Sequence, residues 1–168
     1  IQEATHGTIP LWLNVASNAR TLRRALNPLG YDCVFGAAAG GKPILEVGQL
    51  ICTQVPYHSS EVYFLPENGI RSVLLTRVTA SFGVVSLYNV HIGGAKDMPA
   101  LMEYVERTRG DTAVIIAGDF NFEFEATSWK AKLENEGYII SDVGPTSLRR
   151  SRQIDRIIVR VPGADLKA

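Results

Sequence analysis

The sequence carries no excess of charge: 17 lysines and arginines stand against 17 aspartates and glutamates. With no global basic field, a polyanion would have to be met by a local patch. No stretch is long and apolar enough to span a bilayer, and the N-terminus lacks the basic-then-apolar layout of a signal peptide. The two cysteines, Cys33 and Cys52, could pair or remain as small buried apolar residues. Cys52 falls inside an apparent strand, so the periodicity favours the second and leaves the redox compartment open. Internal repeats, low-complexity runs and domain linkers are absent. The glycine pair beside Lys42 matches neither dinucleotide nor P-loop spacing. What is present is 168 residues, 46% hydrophobic and 20% charged, enough to bury one core and read as a single domain over 1–168. Ile1 is not an initiator, so upstream sequence is expected to have been removed.

The remaining pattern alternates strands and helices. Ile1 to Ala4 reads as the tail of a strand, with Glu3 where strand gives way to loop. From Trp12 to Asn27 apolar residues recur at three- and four-residue steps with Arg20, Arg23 and Arg24 opposite, predicting a helix stopped by Pro28 and Gly30. Strands are expected over 31–36, 47–54, 61–65, 72–79 and 83–90, and their short links imply antiparallel pairing. A helix through Met98, Leu101, Met102 and Val105 then feeds a strand over 113–118. That strand, helix, strand order is a crossover, which returns the second strand beside the first. A second helix over about 126–136, extended chain over 138–143 and a strand over 153–161 complete the reading.

Ile115-Ile116-Ala117-Gly118-Asp119-Phe120-Asn121 is the stretch that suggests chemistry. A buried strand ends in Gly-Asp-x-Asn and delivers a carboxylate and a carboxamide to its C-terminal edge. The plain alternative is a Gly-Asp turn with Asn121 as a helix cap. The crossover sets His91, at the end of Tyr88-Asn89-Val90-His91, on the same sheet edge as Asp119. Hydrolysis of a phosphodiester needs a divalent ion held by hard oxygens, a group to activate water, and donors for the charge growing on phosphoryl oxygens. Glu3 and Asp119 are the ligand and base candidates. Asn121 can bond the phosphoryl group or hold a carboxylate, His91 can donate or shuttle a proton, and Arg71 can pair bidentately with phosphate. Asp155 suits the orienting of an imidazole. Arg149, with Arg150 and Arg152 in a basic loop beside Asp155, could grip a phosphate backbone. Singly, each has a plain reading: a strand-end histidine, a surface arginine, a turn-forming aspartate.

Together, Gln2-Glu3, Asn89-Val90-His91, Gly118-Asp119-Phe120-Asn121 and Ile154-Asp155-Arg156-Ile157 resemble, in order and spacing, the endonuclease/exonuclease/phosphatase superfamily. The resemblance implies an α/β (α+β) four-layer sandwich, two packed and mostly antiparallel sheets flanked by helices. It also implies metal-dependent phosphoester hydrolysis with Mg2+, or Mn2+ or Ca2+. By position it makes Glu3 the metal-binding glutamate and His91 the histidine on the scissile phosphate. Asp119 and Asn121 become the pair that aligns the nucleophile, and Asp155 the carboxylate that orients a second histidine. Glu61-Val62-Tyr63-Phe64-Leu65-Pro66 followed by Arg71 is similar to the deoxyribonuclease I-like branch, nearest to catalytic subunits of cytolethal distending toxins. That similarity implies a phosphate-contacting role for Arg71, a pairing of Glu46 with His91, and partner subunits if the chain is toxin-like.

The sequence departs from the superfamily pattern in two places: no asparagine-bearing strand precedes Gln2-Glu3, and no Ser-Asp-His motif follows Asp155. The domain is therefore expected to be truncated at both ends and weakly active or inactive, since one positioned acid or base contributes about a hundred- to ten-thousand-fold. The expected activity is a deoxyribonuclease I-like endonuclease acting on DNA. The alternatives are a phosphatase or phospholipase acting on phosphoinositides or sphingomyelin, and a binding module without turnover.

Overall fold

A computed structural model describes residues 4–6, 18–37, 46–66, 71–142, 144–146 and 153–163. It contains two sheets. The smaller has the order β1-β3-β2, from β1 (Ala4–His6), β2 (Asp32–Ala37) and β3 (Glu46–Thr53). The larger has the order β4-β5-β6-β7-β9-β8, from β4 (Tyr57–Phe64), β5 (Ser72–Ala80), β6 (Gly83–His91), β7 (Ala113–Asp119), β8 (Ile139–Ile140) and β9 (Asp155–Arg160). All pairs are antiparallel except β6 and β7, which run parallel. The helix between them, α2 (Met98–Thr108), makes the expected crossover. This is the two-sheet α/β architecture that the resemblance implies, with α1 (Asn18–Leu26) and α3 (Trp129–Asn135) as the other α-helices among the described residues.

Alternation along the strands sorts residues onto two faces of the six-stranded sheet. On one, Leu75, Tyr88, Ile116 and Ile158 form a transverse row. They share a core with Met98, Leu101, Val105 and Leu133 of the helices. On the other, Leu74 and Val62 meet the smaller sheet so closely that a Cβ on Gly36 would lie 2.9 and 2.8 Å from their side-chain carbons. A Cβ on Gly48 would lie 2.1 Å from the Gly36 carbonyl oxygen. Glycine therefore suits position 36, where β2 presses against the larger sheet, and position 48, where β3 passes close to the backbone of β2.

Several expectations are corrected. Cys33 and Cys52 stand directly opposite on β2 and β3, Cα atoms 4.1 Å apart, and form a disulfide. The strand pattern that favoured unpaired thiols is correct, but cross-strand register places the two side chains on one face, where they meet. β3 and β4 are consecutive yet lie in different sheets, because β1 and β2 already occupy both edges of β3. The third helix begins at Trp129 rather than near Ala126: a 3-10 turn at Phe124–Ala126 buries Phe124, and Thr127 is extended. Of the extended stretch expected over 138–143, the described part narrows to the two paired residues of β8, and residue 143 lies outside the described residues. The first strand spans Ala4–His6, past the point where it was expected to end. Of the helix expected from Trp12, the part from Asn18 onward is described, and it ends in a 3-10 turn at Asn27–Leu29 containing Pro28.

Candidate functional site

Strand register builds the site. Ser72, His91, Asp119 and Asp155 are successive partners across β5, β6, β7 and β9. Directly paired residues project to the same face, so one row at the sheet's edge carries a hydroxyl, an imidazole and then two carboxylates. Arg71 precedes this row by one residue. The expectation that His91 and Asp119 emerge together is met: His91 Nε2 lies 3.9 Å from Asp119 Oδ2. Arg71 Nη1 lies 2.8 Å from His91 Nδ1 and also abuts Nε2. Arg71 is thus a half-buried neighbour of the imidazole and not a free surface residue.

The turn after Asp119 fixes its carboxylate. Gly118 takes φ 148°, a backbone region open mainly to glycine, which lets the strand end change direction. Asn121 is left-handed at φ 57°, a conformation that asparagine tolerates better than most residues. Its backbone N–H donates to Asp119 Oδ1 at 2.7 Å, and its side-chain Nδ2 donates to the Ile92 carbonyl at 2.8 Å. The Ile92 N–H in turn donates to the Asp119 carbonyl at 3.0 Å. Asn121 therefore braces the carboxylate and ties it to the chain just after His91. It does not cap a helix.

Burial is the main cause that raises the Asp119 carboxyl above its ordinary value. The Asn121 N–H, His91 and Arg71 oppose the rise, and the Asp155 carboxylate adds to it. Asp155 is itself held by backbone: its N–H and that of Ile154 donate to Thr146 Oγ1 at 3.1 and 3.2 Å. It also lines a cleft of about 670 Å³ between the sheets, with Asn89, Ala117, Ile115, Leu50 and Cys52. Among the described residues, no group of three or more His, Cys, Asp or Glu could hold a metal alone.

Four expected site residues, His91, Asp119, Asn121 and Asp155, are therefore brought together, with Arg71 beside them. Glu3 and Arg149 lie outside the described residues, and of Glu46 the backbone alone is described, at the start of β3. Sequence reasoning assigned no role to Arg156 or Glu125. Arg156 is fully buried, and its Nη2 donates to Glu125 Oε2 at 2.8 Å. The signal was an arginine at an inward position of an apolar strand, in alternation with buried Ile158, which burial alone would not select. Asn89, quoted as part of a motif, donates from Nδ2 to the Leu50 carbonyl at 3.3 Å and so joins the two sheets beside His91.

No protein-family model matches the sequence, and no curated protein is similar enough to show relationship. Solved structures are similar in fold. An endonuclease/exonuclease/phosphatase family protein from Leptotrichia buccalis superposes with a TM-score of 0.70 at 13% identity, over 94% of this chain and 72% of that one. TDP2 from D. rerio, complexed with a single-strand DNA product, superposes at 0.59 with 16% identity, over 94% and 69%. A mannosyl-6-phosphatase from Bacteroides thetaiotaomicron superposes at 0.58 with 17% identity, over 85% and 67%. With identities this low the likeness is one of architecture: this chain has the fold of the endonuclease/exonuclease/phosphatase proteins.

Proposed function

We propose that the chain is a metal-dependent phosphodiester hydrolase of the deoxyribonuclease I-like kind, acting on DNA. The observation that carries this reading is the register pair His91 and Asp119, with the Arg71 guanidinium against the imidazole and Asn121 bracing the carboxylate. Arg71 and His91 supply donors for a phosphate's non-bridging oxygens. Asp119 accepts a proton from, or orients, the attacking water, and Asn121 holds it in place for that. Asp119 must be ionised to do so, and Arg71 and His91 favour its charged form against burial and Asp155.

A divalent ion suits these groups. Asp119 and Asp155 offer hard carboxylate oxygens whose mutual repulsion a cation relieves. Asp119, with Glu3, would hold magnesium, manganese or calcium, which would supply charge stabilisation at the phosphate and a more acidic bound water. TDP2 in complex with single-strand DNA shows that this fold accommodates a nucleic-acid product, which supports the choice of DNA.

A second reading keeps the centre and changes the substrate to a phosphomonoester or a phospholipid such as a phosphoinositide. The absence of net basic charge favours it, as does the sugar phosphatase that shares the fold. The two are separated by nicking of supercoiled plasmid with magnesium, against a chelator control and the double variant Asp119→Ala, His91→Ala. Nicking that needs magnesium and falls by at least about a hundredfold in the variant is expected. No nicking, or nicking indifferent to chelator or variant, overturns the nuclease reading. Phosphate release from phosphoinositides would then establish the second.

A further inference from the structure

Arg156 lies on the helix-covered face of the six-stranded sheet, in one row with Val73, Val90 and Gly118. Its side chain is 0% exposed. A leucine or methionine would fill such a position at lower desolvation cost, because a buried guanidinium is tolerated only when paired and hydrogen-bonded. The pairing comes from one place. Arg156 Nη2 donates to Glu125 Oε2 at 2.8 Å, and the guanidinium carbon sits 6.0 Å from the centre of the Phe124 ring. Nη1 lies 3.5 Å from the Asp155 carbonyl, and Nε has no partner among the described residues.

Phe124 and Glu125 belong to the chain that leaves the Asp119-Phe120-Asn121 turn. Phe120, Phe122 and Phe124 pack on one another with centroids 4.5 to 6.3 Å apart. Phe120 N–H donates to the Ile154 carbonyl at 2.8 Å, directly before Asp155. The aromatic cluster packs this stretch against the core through contacts that are non-directional. The ion pair is directional, and it ties residue 125 to the strand that carries Asp155. The same carboxylate also meets Lys130 Nζ at 3.6 Å through its other oxygen, so Glu125 links the loop to β9 and to α3 at once.

We propose that the Arg156 and Glu125 pair is a positioning device that holds the Asp119 and Asn121 turn in register with Asp155. It acts through the backbone and touches no substrate. The effect on turnover rests on the phosphodiesterase reading; the effect on the turn does not. Displacing a reacting group by about 1 Å costs on the order of a hundredfold in rate, so a loosened turn lowers kcat and leaves KM nearly unchanged.

The test compares Glu125→Gln, Arg156→Met and the double variant, using thermal unfolding, backbone amide hydrogen exchange and magnesium-dependent plasmid nicking. Glu125→Gln leaves the buried cation poorly neutralised. It is expected to lower Tm, to speed exchange at the Phe120 and Asn121 amides, and to reduce kcat about ten- to a hundredfold. The double variant removes the buried charge and the pair together, so Tm recovers, while fast exchange at 120 and 121 and low kcat persist. If exchange at these amides returns to native rates along with Tm, the pair is structural only and the proposal is overturned. If the exchange pattern appears but the native chain hydrolyses nothing, the clamp stands and the phosphodiesterase reading falls.

Discussion

On the helix-covered face of the six-stranded sheet, Leu75, Tyr88, Ile116 and Ile158 form a row in which none is more than 1% exposed. On the opposite face the adjacent row, Leu74, Asn89, Ala117 and Ile157, runs from buried Leu74 to Ile157 at 45% exposed. The same strands supply both rows. The difference is cover: α2 and α3 close the first face, whereas the smaller sheet reaches β4, β5 and β6 and leaves the cleft over β7 and β9. Polar groups gather on the less covered face. Gln49 Nε2 donates to the Ser72 carbonyl at 2.7 Å, while Gln49 Oε1 and Thr76 Oγ1 have no partner among the described residues. One face is scaffold, and the candidate site grows at the end of the other, where water and a substrate can enter.

If that division is correct, the two faces respond differently to the loss of an isoleucine. Ile116→Ala removes a fully buried side chain from the closed face and is expected to cost about 2–5 kcal/mol, read from urea unfolding at constant m-value. A cost under ~1 kcal/mol would mean that the closed face collapses around the cavity and is no rigid scaffold.

A smaller effect separates site from scaffold by sign. Burial raises the Asp119 carboxyl above its ordinary 3.8, so the folded state holds the proton more tightly than the unfolded chain does. Ionised Asp119 therefore weakens folding at pH above the raised value. The penalty disappears below the unfolded value, where both states carry the proton. Asp119→Asn keeps an oxygen to accept the Asn121 N–H and should melt higher than native at neutral pH. Each ~1 kcal/mol gained reads as about 2–4 °C in a chain of this size. The gap should close as pH falls through the carboxylate range, while the proposed hydrolysis is lost throughout. A lower Tm for Asp119→Asn at neutral pH would show that the ionised carboxylate is satisfied in the fold and is not held there against its own solvation.

Most of the frame was legible in the sequence for a local reason: valine, leucine and isoleucine runs broken by glycine and proline mark strands wherever tertiary context agrees. The crossover was legible too, and with it the meeting of His91 and Asp119, because β-α-β chirality leaves few alternatives. Register between distant segments was not. The disulfide, the placement of β3 and β4 in different sheets, and the opposition of Asp119 to Asp155 depend on which residues face each other, and a period of two does not encode that. Arg156 could be seen but not interpreted, since its partner lies 31 residues away on a loop with no periodic signal.

The smallest expected effect tests the comparison most severely. Ile157→Ser replaces a half-exposed apolar side chain on the open face, and substitutions at such positions usually change stability by no more than about 0.5 kcal/mol. The transfer term shrinks with the area already in water, at roughly 25 cal/mol per Å², and no cavity forms where solvent can fill the gap. A loss of ~2 kcal/mol or more would mean that Ile157 is covered in solution. The cleft over β7 and β9 would then be filled, and the contrast between a closed and an open face would give way to a sandwich packed on both sides, with Asp155 reached from the edge row alone.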